Sequence, residues 1–218
     1  MATNIIADAH ILNPTDPNFK KVLSFLDVSA KTIIFLGDTF ELLVGNSSFY
    51  IKTYRPLWDK VKNLLQQGTT IYYFEGNHDF HLKKLFAKLF PYPNFILVKK
   101  HLLLTIQDKK YLLSHGDELF ESTYNSLVKS KLFYFLANIF PYSWIRFIYS
   151  QISKKSYRPS FDPNKLLQQL SPESADYYIL GHLHQKLSFN KLLALPSFKH
   201  TNTYLQITDT PNFLESVP

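Results

Sequence analysis

The side chains best suited to chemistry in this sequence are five groups of Asp, Asn and His, each placed directly after a short apolar segment. The groups are Asp8-x-His10, Asp38, Asn77-His78, His115 and His182-x-His184. Imidazole nitrogens, carboxylate oxygens and an amide oxygen suit Mn, Fe, Zn or Mg and are unsuited to soft metals. Without His78, seven candidate ligands remain, which are too many for one tetrahedral ion, so they indicate two ions that share a bridging carboxylate. Such a pair, about 3.5–4 Å apart, serves in-line displacement at phosphorus.

Each group taken alone has an ordinary structural explanation. A single His after a strand is usually solvated or hydrogen-bonded, and Gly-Asp or Gly-Asn-His-Asp is also a common turn sequence. The combination favours the metal site, because five of the eight His residues fall in these groups. The remaining three, His81, His101 and His200, keep the ordinary interpretation.

The apolar segments that precede the groups predict the elements that position them. They cover residues 4–7, 32–36, 69–74, 110–113 and 177–180, and runs of this length are typical of strands buried on both faces. Helical patterns lie between them at 55–67, where Gly68 supplies a stop signal, and at 80–90. The alternation predicts an α/β sheet whose ligands gather beyond the carboxyl ends of the strands. Further along, 186–195 and 203–208 are predicted as strands and 211–218 as a loose tail.

Composition limits the classes of protein that the chain can form. With 218 residues, 45% of them hydrophobic, residues 1–218 suit a single domain with a sizeable core. Cysteine is absent, which excludes disulfide scaffolds, Cys-ligated metals and thiol catalysis. The net charge of +7 allows an anionic partner, either nucleic acid, a phosphate ligand or an acidic membrane. We find no secretory signal and no segment long enough to span a membrane, so we expect a cytoplasmic protein.

Residues 119–165 differ from the rest of the chain. They hold twelve of the 35 aromatic residues, and their seven Lys and Arg exceed two acidic residues by five charges. Two helical patterns are separated by Pro141, which breaks the first of them. The apolar positions are Leu132, Phe135, Leu136, Ile139 and Phe140, then Trp144, Ile145, Phe147, Ile148 and Ile152. We predict a helical insertion whose apolar residues either face lipid or pack a lid onto the core.

The ordered set of motifs resembles the calcineurin-like metallophosphoesterases over roughly residues 4–209. The matching blocks are Asp8-x-His10, Gly37-Asp38-x-x-Glu41, Gly76-Asn77-His78-Asp79, His115-Gly116-Asp117 and Gly181-His182-x-His184. The resemblance implies a four-layer α/β/β/α metallophosphoesterase sandwich with two metal ions between the sheets. It places one ion on Asp8, His10, Asp38 and His184, and the other on Asp38, Asn77, His115 and His182. Two catalytic roles follow, in which His78 contacts the phosphate and assists the leaving group while Asp79 orients His78.

A narrower resemblance is to the diphosphatases that cleave UDP-2,3-diacylglucosamine into UMP and lipid X in Gram-negative lipid A synthesis. It implies Mn²⁺ as the metal, a helical cap that holds acyl chains, and peripheral attachment to the inner face of the cytoplasmic membrane. Asn77 and His78 would contact the substrate, and basic residues of the insertion would meet the diphosphate or anionic headgroups. These basic residues are Lys129, Lys131, Arg146, Lys154, Lys155 and Arg158.

The sequence departs from those diphosphatases at two places. They have Arg where this chain has His78, and an acidic pair where it has Glu121-Ser122-Thr123. His78 offers one donor to the phosphate in place of the fork of Arg. The metal ligands are unaffected by either departure, whereas the identity of the substrate depends on both.

Three other functions remain open at this stage. One is a phosphoesterase of the same family that acts on nucleotides or phosphoproteins without lipid, with the insertion as a simple lid. Another is a nucleic-acid-binding protein or nuclease, which the charge allows, but the positive charge concentrates in an apolar insertion rather than in a polar basic stripe. The last is a scaffold that binds metal without turnover. No protein partner is inferred.

Overall fold

The computed structural model describes residues 2–120, 123–153, 161–170 and 174–215. In this part of the chain the strands are β1 (Thr3–Ile6), β2 (Thr32–Phe35), β3 (Leu43–Val44), β4 (Thr70–Phe74), β5 (Asp79–Phe80), β6 (Phe95–Val98), β7 (His101–Ile106), β8 (Lys109–Ser114), β9 (Tyr177–Leu180), β10 (Leu187–Phe189), β11 (Leu192–Ala194), β12 (Thr203–Ile207) and β13 (Pro211–Glu215). The helices are α1 (Pro17–Phe25), α2 (Ser48–Thr53), α3 (Arg55–Gln66), α4 (Lys83–Leu89), α5 (Thr123–Val128), α6 (Lys131–Ile139), α7 (Tyr142–Ser153), α8 (Pro163–Leu170) and α9 (Phe198–Thr201).

Two main sheets carry the fold. The first has the order β13-β12-β1-β2-β4-β6, and its central strands β1, β2, β4 and β6 are parallel. The second has the order β10-β11-β9-β8-β7, and in it β8, β9 and β11 are parallel. Since parallel strands end at the same edge, the residues that follow β1, β2 and β4 meet at one edge, and those that follow β8 and β9 meet at another.

The hydrophobic residues sort into layers that follow the strand alternation. Ile5 and Ile34 of the first sheet pack against Leu113 and Ile179 of the second in one buried cluster. The opposite face of the first sheet packs against α1, α3 and α4. The opposite face of the second sheet packs against α8. The predicted four-layer α/β/β/α sandwich is therefore confirmed, because helices cover the outer face of each sheet.

Several local predictions are confirmed and three are wrong. The helix at 55–67 is α3, and Gly68 follows it with a φ of 88°. The pattern at 80–90 is helical only from Lys83, because Asp79–Phe80 pairs with Leu43–Val44 and His81 has a φ of 58°. The predicted strand 186–195 is a hairpin of β10 and β11, because Asn190 turns the chain with a φ of 52°.

The end of the chain also differs from its prediction. We expected a loose tail at 211–218, whereas Pro211–Glu215 forms β13 at the edge of the first sheet. Five residue pairs join it to β12. Pro211 is compatible with this because a proline is tolerated at the first position of an edge strand.

The predicted insertion contains α5, α6 and α7, which we call the cap. It packs on Leu42 and Val44, and on Phe80, through residues that include Phe133, Ile145 and Tyr149. The predicted apolar positions of α6 mostly point away from this contact, because Phe133 and Ala137 are the buried residues of that helix. The outward residues are each 57–66% exposed, and we call them the apolar face of the cap: Leu132, Phe135, Ile139, Trp144 and Phe147. None of the helices in the described ranges is long and apolar enough to cross a membrane.

Candidate metal centre

The predicted metal ligands converge where the two sheets present their carboxyl edges. In the first sheet, Asp8 and His10 follow β1, while Asp38 and Asn77 follow β2 and β4. In the second sheet, His115 follows β8, and the pair at 182 and 184 follows β9. Asp8, Asp38, Asn77 and His115 are almost completely buried. The site therefore lies between the two sheets and draws ligands from both.

Among the described residues, three groups of three side chains have potential ligand atoms that all lie within 4.8 Å of one another. Two of these groups contain only predicted ligands, namely Asp8, His10 and His184, and Asp38, His115 and His182. The third group is His10, Glu41 and His78. His184 Nε2 lies 3.1 Å from Asp8 Oδ1, and His115 Nε2 lies 3.2 Å from Asp38 Oδ2. The two groups match the division into two ions that the resemblance implies. The bridging role of Asp38 remains a prediction.

The residues fit divalent metal ions, because their donor atoms are buried and unsatisfied. Asp8 Oδ1, Asn77 Oδ1 and His115 Nε2 are buried and have no hydrogen-bond partner among the described residues. A buried polar atom left in this state costs about 1–3 kcal/mol. Cations bound at the two predicted positions would satisfy them, one at Asp8 and the other at Asn77 and His115. The predicted role of Asn77 as a ligand through its amide oxygen is compatible with this burial and stays a prediction.

The hydrogen on Nδ1 of His115 is fixed by Leu36, the residue that follows strand β2. Its Nδ1 lies 2.8 Å from the carbonyl oxygen of Leu36, and a carbonyl can only accept a hydrogen bond. Nδ1 therefore carries a hydrogen, and Nε2, which faces Asp38, is the nitrogen available to a metal ion. A hydrogen bond donated by the ring nitrogen that does not bind the metal orients a histidine ligand and raises its basicity.

Charges within the buried site move the pKa values of its groups. Burial raises the pKa of Asp38, but His115 and His78 outweigh it and hold that pKa well below its usual range. Burial lowers the pKa of His115, but Asp38 and Asp8 outweigh it and raise that pKa to about 10. Burial and the charge of His115 lower the pKa of His182 to about 4. A metal ion would replace the proton of His115, since histidine binds metal in its neutral form.

The ligand loops adopt backbone conformations that most residues avoid. Five of the predicted ligands have φ between 45° and 62°, namely Asp8, His10, Asp38, His182 and His184. Each such residue costs about 1–3 kcal/mol, and such strain clusters at functional sites. Backbone hydrogen bonds hold the loops together, as the amide of Asp8 donates to Gly37 and that of His10 to Asp38.

Asp79 supports the loop of Asp38 in this structure. Its carboxylate accepts hydrogen bonds from the backbone amides of Asp38, Thr39 and Gly76, and from the hydroxyl of Tyr73. Burial and the charge of Asp38 raise the pKa of Asp79 to about 7. We expected Asp79 to orient His78, but these contacts act on the backbone that carries the predicted bridging ligand.

The imidazole of His78 is held by contacts at Nδ1, the nitrogen that faces away from the ligand cluster. Its Nδ1 lies 2.6 Å from the hydroxyl of Tyr149 and 3.1 Å from the carbonyl oxygen of Glu41. Its Nε2 faces the cluster, 3.9 Å from Asp38 Oδ2. The side chain of Glu41 also lies 3.5 Å from His10 Nδ1. The sequence placed Glu41 within a motif without a role, and no local pattern connects Tyr149 to a residue 71 positions away.

The basic residues predicted to bind substrate occupy different environments. Lys129 is half-buried and its ammonium pairs with the carboxylate of Asp117. Lys131 and Arg146 are exposed on the cap. The other three, Lys154, Lys155 and Arg158, lie outside the described residues.

Comparison with known proteins agrees with this geometry. A model of the calcineurin-like phosphoesterase family matches residues 1–186, and the chain belongs to that family. A protein of Photorhabdus laumondii named UDP-2,3-diacylglucosamine hydrolase is 25% identical over 245 residues, covering all of both chains. A Yersinia pseudotuberculosis protein of the same name is 31% identical over 122 residues, which are 55% of this chain and 49% of the relative.

Solved structures share the fold. An archaeal phosphodiesterase aligns with a TM-score of 0.51 at 15% identity, covering 98% of this chain and 99% of its own. Vacuolar protein sorting 29 of Cryptosporidium parvum aligns with a TM-score of 0.50 at 14% identity, covering 98% of this chain and 95% of its own. Membership of the family supports phosphohydrolase chemistry with divalent metals, in agreement with the two ligand groups.

Proposed function

We propose that the protein hydrolyses the diphosphate of UDP-2,3-diacylglucosamine to UMP and lipid X with two divalent ions, Mn²⁺ first among them. The observation that carries the proposal is a buried two-group ligand cluster beside a helical cap whose outer face is apolar. A charged diphosphate and long acyl chains need these two environments side by side. The name of the full-length Photorhabdus relative supports the same substrate.

We assign a role to each residue of the site according to its position. Asp8, His10, Asp38 and His184 would hold one ion, and Asp38, Asn77, His115 and His182 the other. When bound, the two ions would activate water and neutralise charge on the phosphate oxygens. Asn77 and His78 would contact the phosphate, and Nε2 of His78 would donate a hydrogen bond to the leaving oxygen. Asp79 keeps the loop of Asp38 in place through its backbone hydrogen bonds.

A product assay tests the substrate. Purified protein with Mn²⁺ and UDP-2,3-diacylglucosamine in mild detergent is expected to release UMP, because the site brings together side chains that could hold two ions. UDP-N-acetylglucosamine, which lacks the acyl chains, is expected to be a much poorer substrate. Equal turnover of both, or hydrolysis of aryl phosphodiesters alone, would contradict the lipid substrate. Either result would favour a phosphoesterase of nucleotides or phosphoproteins.

We further propose that the cap attaches the protein peripherally to anionic membranes. Its exposed side chains combine apolar residues such as Trp144 and Phe147 with the cations Lys131 and Arg146. Amphipathic helices with this composition lie in the headgroup region, and each basic residue near an anionic surface adds about 1 kcal/mol.

Cosedimentation with phosphatidylglycerol vesicles tests this attachment. Replacing Trp144 and Phe147 together by Gln is expected to reduce the bound fraction at least about tenfold, because two large apolar side chains no longer enter the lipid. The matched control replaces Leu103 and Leu214 by Gln, since these are also exposed apolar residues but lie on strands outside the cap. Equal binding by the two double variants would contradict a role of the cap.

A further inference from the structure

We propose that Tyr149 is a positioning residue that sets the hydrogen on the imidazole of His78, and that the cap thereby takes part in catalysis. The inference rests on the proposed function, because it assigns to His78 the contact with the leaving group. It goes further in connecting the cap to the reacting atoms, which neither the motifs nor the relatives indicate.

The hydroxyl of Tyr149 reaches the metal centre from helix α7. The side chain is almost completely buried in the contact between the cap and the residues around Phe80. Its Oη lies 2.6 Å from Nδ1 of His78, and the two rings meet edge to face with centroids 5.6 Å apart. The ring of His78 is also bounded by the edge of His10, whose centroid is 4.6 Å away. Packing on two sides therefore fixes the plane of the imidazole.

Nδ1 of His78 has two oxygens within hydrogen-bond distance, and they differ in what they can do. The carbonyl of Glu41, 3.1 Å away, can only accept, and the Glu41 carboxylate 3.9 Å away likewise favours a hydrogen on Nδ1. Of these neighbours, the hydroxyl of Tyr149 is the one that can also donate, and when it donates, Nδ1 is bare and the hydrogen of the neutral ring lies on Nε2. Nε2 is the nitrogen that faces Asp38 and the ligand cluster. Only the state favoured by Tyr149 gives neutral His78 a donor toward the substrate.

Removing the hydroxyl should therefore change the tautomer of His78 without moving its ring. In Tyr149→Phe, the Glu41 carbonyl remains as the partner of Nδ1, and neutral His78 presents a bare Nε2 to the leaving oxygen. Loss of a group that orients a catalytic imidazole typically costs about 10–100-fold in activity. We expect a fall of this size in kcat with a smaller change in KM, because Asn77 and the metal ions would still bind the phosphate.

Aryl phosphodiesters with different leaving groups test the proposal independently of the lipid substrate. Donation from Nε2 matters most for a poor leaving group, so Tyr149→Phe should slow phenyl esters far more than p-nitrophenyl esters. Tyr142→Phe is the matched control, since it removes a hydroxyl from the same helix. A uniform loss across the ester series would show a structural effect and overturn the proposal. If Tyr149→Phe slows the phenyl esters selectively but the wild type releases no UMP from UDP-2,3-diacylglucosamine, only the lipid substrate is rejected and the role of Tyr149 stands.

Two further measurements separate positioning from packing. In a His78→Ala background, Tyr149→Phe should cost nothing more, because the hydroxyl acts only through the imidazole. Protein labelled with ¹⁵N-histidine and loaded with Mg²⁺ should show the His78 hydrogen move from Nε2 to Nδ1 in Tyr149→Phe. Additive losses in the double variant, or an unchanged His78 spectrum, would overturn the proposal.

Discussion

Replacement of Asp38 by Ala is expected to abolish both turnover and binding of the metal pair. Its Oδ2 lies 3.2 Å from His115 Nε2, and its Oδ1 accepts a hydrogen bond from the amide of His78 at 2.9 Å. The substitution therefore removes the predicted shared ligand together with the acceptor for the amide of His78. Loss of one donor aimed at developing charge costs about 10²–10³-fold in kcat. Loss of two cations should exceed this, so we expect a decrease of at least about a thousandfold.

A second substitution separates the charge of Asp38 from its shape. Asn at this position keeps an oxygen for the amide of His78 but removes the negative charge between the two ligand groups. We expect Asp38→Asn to unfold at a temperature close to the wild-type Tm and to lose most of the bound metal. Metal content after dialysis and turnover on an aryl phosphodiester measure the two effects.

The control for this pair is Asp59→Ala. Asp59 is an exposed carboxylate of α3 that pairs with Arg55, so its loss changes the net charge equally and leaves the site intact. This variant should keep two ions and wild-type turnover. If Asp38→Ala also retained two ions per chain, the assignment of a bridging carboxylate would be wrong.

The convergence of the candidate metal ligands was predictable because each of them has a local sequence signal. Asp8, Asp38 and His115 all follow an apolar run directly, and the edge of a parallel sheet then brings them together. The strands themselves were predictable for the same reason, since burial on both faces leaves a continuous apolar signal. The ligand cluster thus required no knowledge of contacts between distant residues.

Features that depend on distant contacts were not predictable in this way. The strand Pro211–Glu215 has only two large apolar residues, Phe213 and Leu214, and its pairing with β12 extends the edge of the first sheet. The apolar stripe of α6 indicated a buried face, yet Phe133 and Ala137 are buried while Leu132 and Phe135 point outward. The helix is apolar nearly all round, so its periodicity cannot tell which side meets the core. The contact between Tyr149 and His78 has no local signal either.

The strongest packing requirement of the site lies at Gly76. A Cβ at this position would overlap Oδ1 of Asp38 and lie 2.7 Å from the backbone nitrogen of the same residue. A rotation of the Asp38 side chain relieves only the first overlap, so the backbone of one of the two loops must shift. The amide of Gly76 also donates to Asp79, which ties the two loops together. We therefore expect Gly76→Ala to displace Asp38 from the position between the two ligand groups.

The expected effect of Gly76→Ala is a loss of at least about a hundredfold in kcat, since a displacement of about 1 Å at reacting groups has this cost. Metal content should fall with it. Gly68→Ala is the matched control, because a Cβ there meets nothing within 4 Å and its φ of 88° adds only backbone strain. That strain should lower stability by about 1–2 kcal/mol and leave turnover unchanged. Wild-type turnover and metal content in Gly76→Ala would mean that the loop of Asp38 can shift without loss of function. The inference that turnover requires Asp38 at its present position would then be wrong.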